Sequence, residues 1–472
     1  MTAFDTDLTL GTRRPHILVT ISQACSRFFL NRYVLLAIFC AAFLVVALEK
    51  EVLGAFLFVS LICLTLILCE DILASALPFL LLCVFISNCY DSYDTFIRYA
   101  WMAIPAAIAL IFHFTVYRRP FRLGSTFPGL CAVSVALLLG GVGFISPSDY
   151  FRPGALFYTL SLGVGMVVLY LLLKSQLSVK RDYDVKEKCI TLLYLMGAFA
   201  ALWVLFFLFK NLELLRSTKQ IPYMQPSNNM STFLMLALPC PFFFVPRNRM
   251  HLLGALALLA ALILTGSRAG AVLGAVEFLL CLAVSAVWDK PRRFFYVCCS
   301  IAFVGLIWLC GNQILQFTTA ENLKTLISQE EPRYQLLSRA KDLFLANPLF
   351  GHGIGYVGNH DLYAPTKGAL EWYHMMIPQV VGSMGILGIL AYGYQLVMQG
   401  WCGILAIRRE PSEGRAAPVT LLMCFVGVLL MSQLNPGLFC PLPYGLLATV
   451  IFALLDGDRL LPKKSEQACN TK

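Results

Sequence analysis

Charged residues are scarce in this chain, since only 13% of its 472 residues are charged while 59% are hydrophobic. A soluble fold of this length needs more surface charge, so the composition excludes a soluble protein. Among the 17 cysteines no CxxC pair or Cys/His zinc spacing occurs. The glycine-rich string at 351–358 lacks the Lys-Ser/Thr of a nucleotide loop, and His352 and His360 have no partner at ligand spacing. We therefore expect neither a metal site nor a cofactor.

Long apolar runs recur along the whole chain, and an α-helix needs ~20 such residues to cross a bilayer. The sequence predicts an all-α, polytopic integral membrane helix bundle with about 12–14 spans. No soluble domain or internal repeat interrupts it, so residues 1–472 form a single integral-membrane domain in this interpretation. The expected spans are 33–48, 52–69, 72–88, 99–117, 124–145, 155–173, 189–209, 228–245, 252–265, 269–288, 294–310, 375–397, 417–434 and 442–455.

Basic residues gather in alternate loops between these runs. Lys and Arg resist translocation, so we predict that these loops and both termini are cytoplasmic. The loop at Glu70 and Asp71 is an exception, because it has no basic residue. The net charge of +10 is then a topology signal and no sign of nucleic-acid binding. Examples of the basic loop residues are Arg118, Arg119, Arg122, Lys174, Lys180, Arg181, Lys186, Lys188, Arg247, Arg249, Arg408 and Arg409.

One long segment, 311–374, leaves the spans and is predicted to be a large extracytoplasmic loop. Within it, Glu330-Glu331-Pro332 favours the start of a helix and Asn347-Pro348 favours its end. Arg333 would then lie in the first turn. The helix is predicted to be amphipathic and to lie on the outer surface of the bundle, because apolar residues recur at helical spacing at Leu336, Leu337, Ala340, Leu343 and Phe344.

Two residues at the borders of spans could act on a substrate. Arg268, in TGSRAG at 265–270, breaks an apolar stretch, and its guanidinium suits phosphate; an interfacial arginine contacting lipid headgroups is the alternative. His374 stands where the long segment returns to the membrane. Its imidazole could accept a hydroxyl proton, and a structural histidine is the alternative. Gly382, Gly385 and Gly388 behind it are expected to permit close helix packing.

Other polar residues lie near or within the spans. Arg216, Lys219, Asn228 and Asn229 form a polar group that either binds a substrate or is a solvated loop. Glu277 falls in the middle of a span, where we expect it to pack against a polar neighbour.

Taken together, these motifs resemble the O-antigen ligase and polymerase superfamily of polytopic glycosyltransferases over roughly residues 216–390. TGSRAG resembles its span-breaking arginine motif. RYQLLSRAKDLFLANPLFGHGIG resembles its loop helix with the Pro-x-x-Gly-x-Gly turn behind it. HMMIPQVVGSMGILG resembles its His-Asn-x-x-x-Gln run, and QPSNNMSTFLMLALP resembles the asparagine-bearing start of a mid-chain span.

The resemblance implies roles for individual residues. It makes Arg268, Arg333 and His374 catalytic, and Arg216, Asn229 and Gln379 substrate-binding. The sequence also departs from the family: Met375 stands where asparagine is usual, Ser383 where an acidic residue is common, and Leu337 where an aromatic is frequent.

The implied reaction transfers a glycan from undecaprenyl diphosphate to the hydroxyl of a glycan, lipid or protein acceptor. It would occur on the outer face of the bacterial cytoplasmic (inner) membrane, without a metal. The His-x-x-x-x-Gln run favours a ligase over a polymerase of the same superfamily. A lipid-linked oligosaccharide flippase is the alternative from another class, although such transporters tend to have internal repeats and charged or broken helices at the membrane midplane.

Overall fold

The computed structural model describes residues 16–88, 100–143, 153–178, 181–218, 221–222, 224, 227–318, 332–357, 370–411, 414–435, 438–439 and 442–456. Within these ranges the chain is helical and has no strands, which confirms the all-α fold class. Lys219 and His360 lie outside the described residues.

The amino-terminal half begins with helices that are mostly short and apolar, and near its end a long helix, α9, is followed by the short α10. Asp184 caps α9, because its carboxylate accepts hydrogen bonds from the first free backbone amides of that helix. The helices are α1 (His16–Phe29), α2 (Arg32–Ala47), α3 (Glu51–Leu68), α4 (Ala76–Asn88), α5 (Ala103–Val116), α6 (Phe127–Ala136), α7 (Pro153–Leu160), α8 (Met166–Leu177), α9 (Val185–Lys210) and α10 (Leu212–Thr218).

The second half carries the residues singled out by the motifs. Its helices are α11 (Ser227–Ala237), α12 (Cys240–Phe244), α13 (His251–Leu264), α14 (Arg268–Trp288), α15 (Arg293–Thr318), α16 (Pro332–Ala346), α17 (Met376–Arg409), α18 (Ala416–Ser432) and α19 (Pro443–Leu455). Helix α15 continues to Thr318, so the first residues of the segment 311–374 are helical.

The chain is a multi-pass membrane protein by the length and composition of its helices. Among the described residues five helices are long and apolar enough to cross a membrane, and a sixth if the bent pair α1 and α2 is one broken span. Each of the predicted spans overlaps at least one helix. Several helices are shorter than a full crossing, so the expected number of spans stays a prediction.

Helix α11 lies at the centre of the bundle. Every side chain from Met230 to Leu238 is fully buried. The helix packs against α9, α13, α14 and α18, which surround it. Residues at the start of α11 are therefore held by contacts on several sides.

The acidic loop at Glu70 and Asp71 finds its partners in neighbouring basic loops. Arg119 forms an ion pair with Glu70, and Arg181 Nε lies 2.9 Å from Asp71 Oδ2. We call this end of the bundle the ion-pair end. The exception in the charge pattern thus has a physical reason, since the acidic loop neutralises basic loops beside it. Further ion pairs join Arg247 to Glu187 and Lys186 to Glu410.

Candidate functional site

The residues expected to act on substrate lie one helix length away from the ion-pair end. Helix α13 begins just after Arg247, which pairs with Glu187, and leads to Ser267. Helices α17 and α18 both adjoin Glu410 and run away from it. The start of α14, the start of α17 and the end of α18 are therefore at the opposite end, which we call the site end.

Hydrogen bonds tie the start of α11 to two other helices at the site end. Asn228 Oδ1 accepts a hydrogen bond of 2.7 Å from Ser267 Oγ, next to Arg268. The Asn229 carbonyl accepts one of 2.7 Å from Tyr444 Oη at the start of α19. Arg268 and Asn229 therefore lie near the same junction.

The start of α17 reaches this junction from another side. Met376 and Gly445 line one small cavity of about 50 Å³, and Gly445 follows the tyrosine that holds Asn229. Gln433 Nε2 also lies 3.7 Å from Met376 Sδ. His374, two residues before this methionine, thus belongs to the site end.

Three residues of the TGSRAG motif have structural roles around Arg268. Ser267 caps α14 by accepting a hydrogen bond of 3.1 Å from the Gly270 amide. Thr265 shares a buried hydrogen bond of 2.8 Å with Ser231, and a side chain at 270 would press against that serine, its Cβ 2.6 Å from Oγ. Arg268 itself is half-buried and has no hydrogen bond or ion pair to any described residue. Its guanidinium is therefore available at a helix N-terminus, where anions are favoured.

His374 is held by the backbone on both sides of it. Its φ of +54° is in the left-handed region. Gln379 is fully buried. Its Oε1 accepts a hydrogen bond of 3.1 Å from the Tyr373 amide, and its Nε2 donates a hydrogen bond of 2.8 Å to Ser383 Oγ. Met375 gives α17 no side-chain cap, whereas an asparagine at this position could provide one. The geometry makes Gln379 a positioning residue for this turn, and its role in substrate binding stays a prediction.

Helix α17 is broken by Gly385, whose φ is +57°. The loop after α16 fills the break: His352 and Gly353 donate to helix carbonyls, and helix amides donate to loop carbonyls. A side chain at 385 would collide with the carbonyl of Pro348, so glycine is required there by the approach of this loop, and not by the helix packing expected from the sequence. These backbone bonds are His352 N to Gly382 O (2.9 Å), Gly353 N to Ser383 O (3.0 Å) and Ile386 N to Pro348 O (2.8 Å).

Helix α16 spans Pro332–Ala346, which confirms the predicted helix with Arg333 in its first turn. Its buried face, formed by Leu336, Ala340 and Leu343, packs against α17. Arg339 Nε donates 3.0 Å to the Val357 carbonyl and thereby ties the helix to the loop. The helix that carries Arg333 is therefore fixed to the helix that follows His374.

A polar cluster behind the loop completes this part of the structure. Glu371, which is 1% exposed, accepts 2.9 Å from the Val357 amide. Burial, and then the charge of Arg339, lowers the pKa of His352, so this imidazole is neutral at neutral pH. Burial raises the pKa of Tyr373 above its ordinary value. Among the described residues no group of three or more His, Cys, Asp or Glu side chains could hold a metal ion.

Sequence reasoning missed several of these contacts. Tyr444, Ser267, Arg339 and Glu371 position the site through partners that lie 14 to 215 residues away in sequence, and no motif spacing predicts these pairs. Arg216 is exposed on α10, and no hydrogen bond or ion pair connects it to another described residue. Asn229 uses its amide to donate 2.8 Å to the Ser87 carbonyl.

The fold and this site define a class: a polytopic membrane protein in which Arg268 and His374 lie at or just before the starts of two helices at the same end of the bundle. Residues 253–393 match the family model described as O-antigen ligase. Over this part of the chain the match supports the superfamily resemblance predicted from the motifs, and the matched segment contains Arg268, Arg333, His374 and Gln379. The family implies a ligase- or polymerase-like membrane glycosyltransferase. Neither the curated proteins nor the solved structures contain a match to this chain.

Proposed function

We propose that this protein joins a glycan from undecaprenyl diphosphate to an acceptor hydroxyl at the outer face of the bacterial cytoplasmic membrane, as an O-antigen ligase does. One observation carries the proposal. The family segment contains two arginines and a histidine, and the described contacts hold Arg268 and His374 at the same end of the bundle.

In this mechanism the diphosphate binds to Arg268 and Arg333. Helix N-termini at the site end add positive potential, which favours the same anion. As the bond from the sugar to diphosphate breaks, negative charge grows on the departing oxygen, and preorganised donors stabilise it. Undecaprenyl diphosphate leaves with the bonding electron pair.

His374 acts on the acceptor. The acceptor oxygen forms the new bond to the sugar, while its proton passes to the imidazole of His374. The backbone contacts around Gln379 hold this histidine in place. Because diphosphate is already a good leaving group, the proposed mechanism requires no metal and no nucleotide.

The purified full chain in detergent provides the test. It is incubated with a glycan linked to undecaprenyl diphosphate and with either a lipid acceptor or a second lipid-linked glycan unit. Joining to the lipid acceptor supports a ligase, and lengthening of the lipid-linked glycan supports a polymerase. Movement of the donor across a bilayer without any joining would refute the proposal and indicate a flippase.

A further inference from the structure

A polar cavity of about 690 Å³ lies at the ion-pair end, far from the proposed active site. Four basic side chains line it together with three carboxylates: Arg27, Arg119, Arg181 and Lys188, and Glu70, Asp71 and Asp182. The cavity lies between α1, the acidic loop at Glu70 and Asp71, and the residues that lead into α9. Neither the family motifs nor the proposed reaction uses it.

A second, apolar cavity of about 240 Å³ lies directly beside the polar one. Leucine, isoleucine and phenylalanine dominate its lining, which runs between α3, α4, α8, α9 and α19. The two cavities share a wall, because residues adjacent in sequence line one and then the other: Asp71 and Ile72, Gln176 and Leu177, Lys188 and Cys189. The polar cavity thus adjoins the apolar cavity.

The basic groups of the polar cavity are unequally neutralised. Arg181 donates to both carboxylate oxygens of Asp71, at 2.9 and 3.0 Å, and also to the backbone carbonyl of Gln176 at 3.2 Å. Arg119 pairs with Glu70, but its Nε is buried and has no hydrogen-bond partner among the described residues. Lys188 Nζ donates 2.8 Å to a backbone carbonyl, and no carboxylate of the described residues lies within ion-pair distance of it. Lys188 is therefore a basic group of the cavity without a carboxylate partner among the described residues, and Arg119 has one buried N–H without a partner there.

Arg27 adds a further positive charge at the rim. Its only ion pair among the described residues is a long one, 4.0 Å to Asp182, and both side chains are largely exposed. Such a pair in water contributes little, so this guanidinium is free to turn toward a ligand.

We propose that the two cavities form one binding site for an acidic glycerophospholipid. Its phosphate headgroup lies against Arg27, Arg119 and Lys188, and part of an acyl chain enters the apolar cavity. Basic pockets between membrane helices bind such headgroups. A free phosphate would make no use of the apolar cavity, and a zwitterionic headgroup would bring an ammonium group toward the basic side chains.

Native mass spectrometry of the full chain in detergent tests the proposal. The protein is titrated with phosphatidylglycerol and with phosphatidylethanolamine of the same acyl chains, and inorganic phosphate is added as a competitor. We expect one phosphatidylglycerol to be retained in preference, with phosphate competing poorly. Arg119→Gln and Lys188→Gln should each weaken its binding roughly fivefold.

Controls separate a lost site from a lost fold. Arg118, exposed beside Arg119, does not line the cavity, so Arg118→Gln should bind phosphatidylglycerol as the wild type does. Leu173→Phe fills the apolar cavity without a change of charge and should also weaken binding. Each variant is compared with the wild type for melting temperature without lipid. Equal retention of both lipids, equally strong competition by phosphate, or an equal loss in Arg118→Gln would overturn the proposal.

Discussion

His374 has a backbone conformation that costs about 1–3 kcal/mol for a residue other than glycine. The Tyr373 amide is bound by Gln379 on one side, and an extended Met375 starts α17 on the other. These contacts determine where the imidazole can reach. A strained residue at the start of a helix, inside the family segment, fits a role in the reaction better than a role in stability.

At this position we expect stability and activity to separate. Glycine adopts a positive φ freely, whereas alanine does not. His374→Gly should therefore be as stable as His374→Ala or more stable by up to about 1 kcal/mol in the free energy of unfolding. Both variants should lose glycan transfer. Thermal unfolding in detergent measures the difference. If the alanine variant were clearly the more stable of the two, the left-handed conformation would be wrong.

At the scale of elements, the broken helix α17 and the loop after α16 form one unit. The loop supplies partners for backbone groups that the break leaves without helical bonds. The same loop is tied to α16 by Arg339 and to Glu371. The position of Arg333's helix relative to His374 and the helix that follows it therefore depends on this junction.

A pair of glycine substitutions tests the junction. Gly385→Ala should abolish most transfer and lower the melting temperature, because the new methyl group collides with the Pro348 carbonyl at a positive φ. Gly393 is in the same helix with no atom near its missing side chain, so Gly393→Ala should keep activity and gain up to about 1 kcal/mol in stability. Normal activity and stability in Gly385→Ala would show that the helix is not broken there.

A buried carboxylate joins two other elements at the ion-pair end. Asp456, directly after α19, accepts hydrogen bonds from the amides and hydroxyls of Ser125 and Thr126, just before α6, and from Tyr170. Burial alone would raise the pKa of Asp456, but these hydrogen bonds outweigh it and lower the pKa. The ionised carboxylate therefore contributes stability at neutral pH.

Removing this charge should change both stability and its dependence on pH. Asp456→Asn should lower the free energy of unfolding by about 1–3 kcal/mol, because the side-chain NH₂ group of asparagine would face the hydrogen-bond donors that now bind the carboxylate. In the wild type the contribution is present above the unfolded pKa of about 3.9 and is lost as pH falls through the lower folded pKa. Asp456→Asn should not show this loss of stability at low pH. Melting curves across pH measure it, with the exposed Asp182→Asn as control; identical curves for wild type and Asp456→Asn would contradict the assignment.

At the scale of the whole molecule, hydropathy predicts the helices because each apolar run must satisfy its backbone inside lipid. The arginines and His374 were found from their chemistry and from motif order. The partners that hold the site were not, since Tyr444 and Asn229 lie far apart in sequence. Glu277 also differs from expectation: it is fully buried against Gly427, and neither carboxyl oxygen has a hydrogen-bond partner among the described residues. Hydrophobic periodicity predicts which face of a helix is buried, but it does not predict which other helix packs against that face.

Orientation in the membrane is a prediction from the basic loops, with the site end outside. In a chain whose 17 cysteines are replaced, a single cysteine is placed at Lys341 on α16 or at Asp182, both exposed. A membrane-impermeant maleimide added to intact spheroplasts should label position 341 and not position 182. The reverse pattern would invert the topology and place the site in the cytoplasm.

The central claim is that Arg268, Arg333 and His374 act together on a lipid-linked diphosphate. The most direct measurement is the initial rate of glycan transfer by purified variants at equal protein concentration. Arg268→Ala and Arg333→Ala should each lower the rate roughly a hundredfold or more, since removal of one hydrogen-bond donor to the developing charge lowers the rate by a factor of about 10²–10³. His374→Ala should cause a comparable or smaller loss, and Arg268→Lys should recover only part of the rate because it keeps the charge without the fork. Arg249→Ala and His251→Ala, near the ion-pair end, should transfer as fast as the wild type. Full activity in Arg268→Ala or in His374→Ala would contradict the account.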